Sequence, residues 1–189
     1  LAKTIIMKKI LIILFFIFSN FIFCQEKFNN EKEIENIENY NSLEIITEIR
    51  ETTTVYGTFK ENIKLYGTLL TPKKKFNKVL IIISGTGKIS QKAHNYLTEY
   101  LLQNNIGIFR FDKRGVGKST GEYNDYFETY TSDFINVMKE LKKGELFLNK
   151  KIGFLGHSLG GIASIQAIEN NIKPDFLIQW SAPIGKPRE

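Results

Sequence analysis

The 189-residue chain contains only one cysteine, one tryptophan and two histidines. Because Cys24 is the single cysteine, the chain forms no internal disulfide and no zinc site built from thiolates. The formal net charge of +6 comes from 26 basic and 20 acidic residues. The lysines lie among acidic residues or at turns, without interleaved arginine and aromatic residues, so we expect no nucleic-acid partner.

The sequence also lacks the apolar run of about 20 residues that a membrane-spanning helix needs. The apolar stretch Ile10–Phe18 follows two lysines and ends at a polar break, which is the order of a secretory signal peptide. We therefore assign residues 1–24 to a signal peptide with upstream residues, cleaved after Cys24. The exported product is expected in the periplasm or outside the cell, with no stable membrane span. Lipid anchoring at Cys24 is the alternative, and the bulky Phe23 disfavours it.

After the predicted signal peptide, the chain is first polar and then alternates apolar with polar residues. Residues 26–42 are rich in asparagine and glutamate, and we assign residues 25–50 to a polar tether. Residues 50–72 then alternate β-branched and aromatic residues with polar ones, which predicts an antiparallel hairpin with its turn at Glu61 and Asn62.

Short apolar runs follow, of the kind that form buried strands in a parallel sheet. They lie at 78–84, 106–111, 151–156 and 176–181, and helix-like segments at 93–103, 132–143 and 159–169 separate them. Ser132 and Asp133 are the expected N-cap of the second helix, and Lys142, Lys143 and Gly144 suit its end. This alternation predicts an α/β fold with a mostly parallel sheet, whose ligands bind at the carboxyl ends of the strands.

Two glycine-lysine pairs resemble the end of a phosphate-binding loop. That motif needs a further glycine five positions before the Gly-Lys pair and a helix directly after it. Asp112 stands at the required position for Gly117-Lys118, and Ile82 does so for Gly87-Lys88. The sequence therefore disfavours a nucleotide triphosphatase.

Ser158 lies between glycines in "GFLGHSLGG", where an apolar run passes into a helix-like one. The G-x-S-x-G pattern is typical of a nucleophile elbow, in which a sharp turn exposes the serine at a helix N-terminus. Side chains at Gly156 and Gly160 would clash in such a turn, and Gly161 lets the helix approach the sheet. The alternative is an ordinary glycine-rich turn whose serine caps the helix.

Together with "GTLLTP", "LIIISGTG" and "FRFDKRGVGKSTG", this segment makes residues 52–183 resemble the α/β-hydrolase superfamily. The chain is most similar to exported bacterial esterase-like members of the serine aminopeptidase (S33) and dienelactone hydrolase branches. On this resemblance, residues 51–189 form the N-terminal part of an α/β-hydrolase domain.

The resemblance implies a role for each matching residue. Ser158 corresponds to the nucleophile, and the backbone N–H groups of Thr86 and Leu159 correspond to the oxyanion hole. The elbow itself comprises Gly156, His157 and Gly160. A D-x-R-G-x-G loop is implied to form a structural ion-pair and turn cluster at the pocket floor; its members are Asp112, Arg114, Gly115 and Gly117.

A catalytic acid and histidine cannot be assigned within the sequence. His157 adjoins the serine at a tight turn, where its side chain points elsewhere, and His94 is at most a residue that borders the pocket. Asp175 begins a predicted strand and is expected at the end away from the crevice. Since the family order is serine, acid, histidine, we expect both partners beyond Glu189, in a truncated gene product.

These patterns predict a serine hydrolase that acts on small-molecule ester or related acyl substrates through an acyl-enzyme on Ser158. No metal and no organic cofactor are implied, and the fragment alone is expected to be inactive. Two alternatives remain: a non-catalytic binding protein with the same fold, and an acyltransferase that uses the same nucleophile.

Overall fold

The computed structural model describes residues 39–54 and 56–182, and the predicted signal peptide lies outside this part of the chain. Strands and helices alternate through most of it. In chain order the elements are β1 (Tyr40–Thr54), β2 (Gly57–Pro72), β3 (Lys78–Ile83), α1 (Asn95–Gln103), β4 (Gly107–Phe111), α2 (Phe127–Lys143), a short 3₁₀ turn (Glu145–Phe147), β5 (Lys151–His157), α3 (Leu159–Glu169) and β6 (Phe176–Trp180).

The strands form one sheet in the order β1-β2-β4-β3-β5-β6. β1 and β2 are an antiparallel hairpin, and β2 runs antiparallel to β4. The pairs β3–β4, β3–β5 and β5–β6 are parallel. The predicted mostly parallel sheet with an N-terminal antiparallel hairpin is therefore confirmed.

Helices cover both faces of this sheet. On β4, the adjacent residues Ile108 and Phe109 are 0% and 1% exposed and belong to different core clusters. Ile108 packs with Leu102 of α1, whereas Phe109 belongs to the cluster that includes Phe134 of α2 and Ala163 of α3. Successive strand residues point to opposite faces, so the near-continuous apolar run of β4 supplies both cores.

The hairpin differs from its prediction in two respects. β1 begins at Tyr40, so the tether assigned to residues 25–50 is wrong from this residue onward, while residues 25–38 lie outside the described part. The two strands pair from Tyr40 with Pro72 to Thr54 with Gly57. Glu61 therefore lies within β2 and not at a turn, because the pairing of the two strands continues beyond it to Thr54 with Gly57.

Helix α2 begins five residues before its predicted start. Its N-cap residue is Tyr126, and the predicted cap at Ser132 and Asp133 is wrong because both residues lie inside the helix. Its end agrees with the prediction, with Lys142 and Lys143 in the last turn. Within the described ranges, no helix is long and apolar enough to cross a bilayer.

Strand β6 is less buried than its apolar sequence predicts. Phe176, Leu177 and Ile178 are 37–44% exposed. The reason is the position of β6 at the edge of the sheet, where it pairs only with β5 among the described strands.

Candidate active site

Ser158 occupies the turn between β5 and α3. Its backbone has φ 50° and ψ −117°, a combination that residues other than glycine rarely adopt. The amide of Ser158 donates to the carbonyl of Trp180 over 3.0 Å, and its carbonyl accepts from the amide of Gly161 over 2.8 Å. These two bonds on either side hold the strained residue in place.

The Ser158 hydroxyl does not cap the helix that it precedes. Ser158 is the N-cap residue of α3, yet its side chain forms no capping hydrogen bond. A serine whose role is to cap a helix accepts a bond from an amide in the first turn. The side chain is half-buried at the positive end of the α3 dipole. The geometry thus argues against the simple capping alternative.

Each elbow glycine stands where a side chain would collide with neighbouring atoms, which are backbone atoms at Gly156 and Gly160 and side-chain atoms at Gly161. A β-carbon at Gly156 would lie 2.6 Å from the α-carbon of Gly161, and one at Gly160 would lie 2.6 Å from the carbonyl oxygen of Ser84. A β-carbon at Gly161 would collide with Ala182, which follows β6. The sharp turn therefore requires all three glycines for close approach, as the sequence indicated.

The loop after β3 packs directly against the elbow. A β-carbon at Gly85 would lie 3.1 Å from the β-carbon of Ser158 and 3.2 Å from the carbonyl oxygen of His157. The next residue, Thr86, is exposed. The two residues whose N–H groups are implied for the oxyanion hole thus lie beside Ser158 along the chain or in the loop that packs on it: Leu159 follows Ser158 directly, and Thr86 follows Gly85.

The loop after β4 contains a buried charge network. Arg114 is 5% exposed, and its Nε atom donates to Asp133 Oδ2 over 2.8 Å. It also donates to Glu61 over 3.1 Å and to Thr52 Oγ1 over 2.9 Å. Burial raises the pKa of Asp133 to about 6, although the hydrogen bonds from Arg114 oppose the rise. The network ties the loop to α2 and to both strands of the hairpin.

Asp112, predicted in the same ion-pair cluster, has other partners. Its Oδ1 atom accepts from the amide of Gln91 over 2.7 Å, and Oδ2 accepts from the amide of Lys118 over 3.2 Å. Gly115 and Gly117 have φ values of 66° and 56°, and the Asp112 carboxyl lies against Gly117 without room for a side chain. The residues of the loop do form a turn cluster, but its ion pair joins Arg114 to Asp133.

Three rings lie together next to the elbow. The ring centroids of His94 and His157 are 5.5 Å apart, and those of His157 and Trp180 are 4.9 Å apart. Burial lowers the pKa of His94 to about 4, with smaller contributions from His157 and Arg110. Burial also lowers the pKa of His157. Both imidazoles are therefore neutral near pH 7, and the Nδ1 atom of His157 faces the backbone of Gly85.

Two carboxylates follow Ser158 among the described residues, Glu169 at the end of α3 and Asp175 just before β6, and Asp175 is remote from Ser158. The carboxylate of Asp175 accepts from the amide of Ile152 over 2.7 Å, at the start of β5. Because β5 begins at the opposite end of the sheet from the elbow, Asp175 lies away from the crevice, as predicted. In the described part of the chain, no three histidine, cysteine or carboxylate side chains converge as a metal site does.

Lys113 and Asp125 were missed by the sequence analysis. Lys113 is 2% exposed, and its Nζ atom donates to the carbonyl of Gly85 over 2.8 Å. Asp125 accepts from Lys113 over 3.2 Å and from the amide of Gly87. The one sequence feature that points to Lys113 is its position between Asp112 and Arg114 of the D-x-R-G-x-G loop.

The sheet order, with its antiparallel hairpin and parallel strands, is that of an α/β-hydrolase fold, and the strained serine lies at the turn after β5. The sequence model of the family described as "Serine aminopeptidase, S33" matches residues 74–188. The chain belongs to this family.

Solved structures agree on the fold. The esterase Pf2001 of Pyrococcus furiosus superposes with a TM-score of 0.61 at 24% identity, covering 81% of this chain and 55% of that one. An esterase from Exiguobacterium antarcticum gives a TM-score of 0.52 at 21% identity, covering 70% of this chain and 44% of that one. A serine hydrolase without a lid from Xanthomonas campestris gives a TM-score of 0.54 at 18% identity, covering 78% of this chain and 64% of that one.

A curated relative is similar in sequence over much of the chain. Protein phosphatase methylesterase 1 of Candida albicans is 27% identical over 133 residues, which is 70% of this chain and 36% of the relative. The chain thus spans about a third of the length of this relative and about half the length of the Pyrococcus esterase.

Proposed function

We propose that the whole protein is a serine hydrolase that cleaves esters or related acyl compounds through an acyl-enzyme on Ser158. The observation that carries the proposal is the Ser158 backbone, held at φ 50° in the turn between β5 and α3 while the hydroxyl makes no cap. A protein that used this turn only for packing would gain nothing from such strain. Membership of the S33 family supports the same chemistry.

In this mechanism the Ser158 Oγ atom attacks the carbonyl carbon of the substrate as its proton passes to a base. The carbonyl oxygen becomes an oxyanion, and the amides of Thr86 and Leu159 donate hydrogen bonds to it. The N-terminus of α3 adds a favourable dipole. Collapse of the tetrahedral intermediate expels the alcohol and leaves an ester on Ser158, which water then hydrolyses.

Neither described histidine is proposed as the base. His94 and His157 contact each other and Trp180, and burial lowers the pKa of both imidazoles. We propose that the acid and histidine of the triad come from residues C-terminal to Glu189 in the whole protein. The proposed substrate is a small acyl compound. Two of the similar structures are named esterases and the curated relative is named a methylesterase, which supports a carboxylic ester as the bond cleaved.

The test is hydrolysis of p-nitrophenyl esters by the full-length protein and two variants. Ser158→Ala should lower kcat by a factor on the order of 10⁶, as loss of the serine does in a well-studied serine protease. Ser132→Ala, on the half-buried face of α2, should leave the rate unchanged. Equal rates for Ser158→Ala and the unmodified protein would contradict the proposal.

We further propose that the protein is exported, because residues 10–18 are apolar and follow two lysines. N-terminal sequencing of the protein recovered from cell fractions tests this. A product that begins at Gln25 in the periplasm or medium is expected, and an uncleaved cytoplasmic product would contradict it.

A further inference from the structure

Lys113 places a buried ammonium group behind the loop that packs on Ser158. Its side chain is 2% exposed, and its Nζ atom lies 2.8 Å from the carbonyl oxygen of Gly85. The rings of Tyr123 and Tyr130 lie 5.4 and 5.2 Å from the same atom. Lysine is rarely buried to this degree unless it is paired. The contact with Gly85 therefore calls for an explanation.

The carbonyl that Lys113 binds belongs to the same peptide group as the Thr86 amide. In a trans peptide the C=O of one residue and the N–H of the next are coplanar and point in opposite directions. An ammonium group that holds the Gly85 oxygen thus fixes the direction of the Thr86 N–H. A positive charge at the oxygen also polarises the peptide, which makes its N–H a stronger donor.

Asp125 fixes the following peptide group. Its Oδ1 and Oδ2 atoms lie 3.2 and 3.1 Å from the amide nitrogen of Gly87. The same Oδ1 atom accepts from Lys113 over 3.2 Å. One ion pair thus holds two successive peptides, the first by its carbonyl and the second by its N–H. Between them lies Thr86, and Gly85 is in contact with Ser158.

We propose that Lys113, with Asp125, is a positioning residue that holds and polarises the Thr86 amide for the oxyanion formed at Ser158. This inference rests on the proposed hydrolase function. Neither side chain touches the reacting atoms, and both act through the Gly85–Gly87 backbone.

A purely structural role for the charge is a weaker account. Burial lowers the pKa of Lys113, and the nearby Asp125 only partly offsets this effect. The charged form of Lys113 is therefore less stable at this site than in water. Replacing a buried ion pair with apolar groups of similar volume is often neutral or stabilising. Packing alone would therefore be served equally well by an apolar residue at position 113.

The test compares Lys113→Met with Lys150→Met in the full-length protein. Lys150 is a matched control, since its Nζ atom also donates to a backbone carbonyl, that of Phe76 over 3.0 Å, and lies 4.3 Å from the Phe76 ring. It precedes β5, at the end of the sheet opposite the elbow. Thermal unfolding of each variant shows whether it folds.

Lys113→Met should lower kcat by about tenfold to a hundredfold, less than the 10²–10³ for complete loss of an oxyanion donor, with KM within about twofold. The inhibition constant of a boronic acid, which forms a tetrahedral adduct on the nucleophile, should rise by the same factor as kcat/KM falls. Lys150→Met should change neither quantity. The inference would be overturned if folded Lys113→Met had an unchanged kcat, or if its kcat/KM fell only because KM rose.

Asp125→Asn decides the matter if Lys113→Met does not fold. The Asp125 side chain is 32% exposed, and asparagine keeps an acceptor for Gly87 while it removes the charge beside Lys113. About a threefold to tenfold loss of kcat is expected at constant KM, and no loss would overturn the inference. Ser158→Ala is assayed in parallel. If it is as active as the unmodified protein, the proposed function itself fails and this inference fails with it.

Discussion

The α-carbon of Gly160 lies against the carbonyl group of Ile83, where an added β-carbon would be only 2.6 Å from the carbonyl carbon. Ile83 is the last residue of β3, and Gly160 is in the first turn of α3. The contact therefore sets how closely the elbow approaches the loop that begins at Ser84. Backbone that meets backbone cannot give way as a side chain can.

Gly160→Ala is expected to destabilise the fold by about 1–3 kcal/mol, because the added methyl group must displace the end of β3 or the start of α3. Chemical denaturation measures this change. Gly144→Ala is the control, since a β-carbon there meets no atom closer than 3.9 Å. If both substitutions had the same effect, the close approach at Gly160 would not be the cause.

Arg114→Met is expected to lower the free energy of unfolding by about 3–5 kcal/mol, because it leaves the Asp133 carboxylate buried without its cationic partner. Asp133 is 1% exposed. Arg50→Met serves as the control, since the Arg50 side chain is 87% exposed in its ion pair with Glu48. Urea unfolding of the two variants should separate them clearly. A stable Arg114→Met protein would contradict the importance assigned to the buried pair.

Thr86→Pro removes the amide hydrogen proposed to bind the oxyanion. We expect kcat of the full-length protein to fall by about 10²–10³, the usual cost of one oxyanion donor. Thr86→Ala keeps the amide and loses only an exposed side chain, so its kcat should stay close to that of the unmodified protein. Similar kcat values for the two variants would show that the Thr86 side chain or the loop shape matters, and not its N–H.

His94 should titrate with a midpoint near pH 4, because burial and the neighbouring His157 and Arg110 disfavour its charged form. The unfolded chain takes up the proton near pH 6.5. Stability is therefore expected to be retained above pH 6.5 and to fall as the pH decreases toward 4. NMR titration of the imidazole protons measures the midpoint, and His157→Gln assigns the signals. A midpoint near 6.5 would show an imidazole in ordinary contact with water.

Much of the sheet could be predicted because the information is local. The runs that form β3, β4 and β5 are apolar enough to be recognised singly, and the observed strands agree to within one or two residues. β1 was missed over its first ten residues because polar side chains on its solvent face hide the alternation of Ile45, Thr47 and Ile49. The local pattern predicts a turn at Glu61, whereas its carboxylate accepts a hydrogen bond from Arg114, 53 positions away, within β2.

The elbow could be predicted because its residues form one continuous motif, although the atoms that exclude a side chain at Gly160 belong to Ile83 and Ser84, far away in the sequence. The roles of Lys113 and Asp125 could not. Lys113 binds a carbonyl 28 residues earlier in the chain, and no spacing in the sequence indicates this contact. The predicted cap at Asp133 is wrong for a similar reason. Its partner is Arg114, 19 positions earlier, and the local sequence does not indicate this contact.

The measurement that tests the central claim most directly is mass spectrometry of the full-length protein after reaction with a fluorophosphonate. The account predicts one phosphonyl adduct, mapped by peptide fragmentation to Ser158, and no adduct in Ser158→Ala. An adduct on another residue, or an unmodified Ser158 in a protein that still hydrolyses esters, would contradict the assignment of Ser158 as the nucleophile.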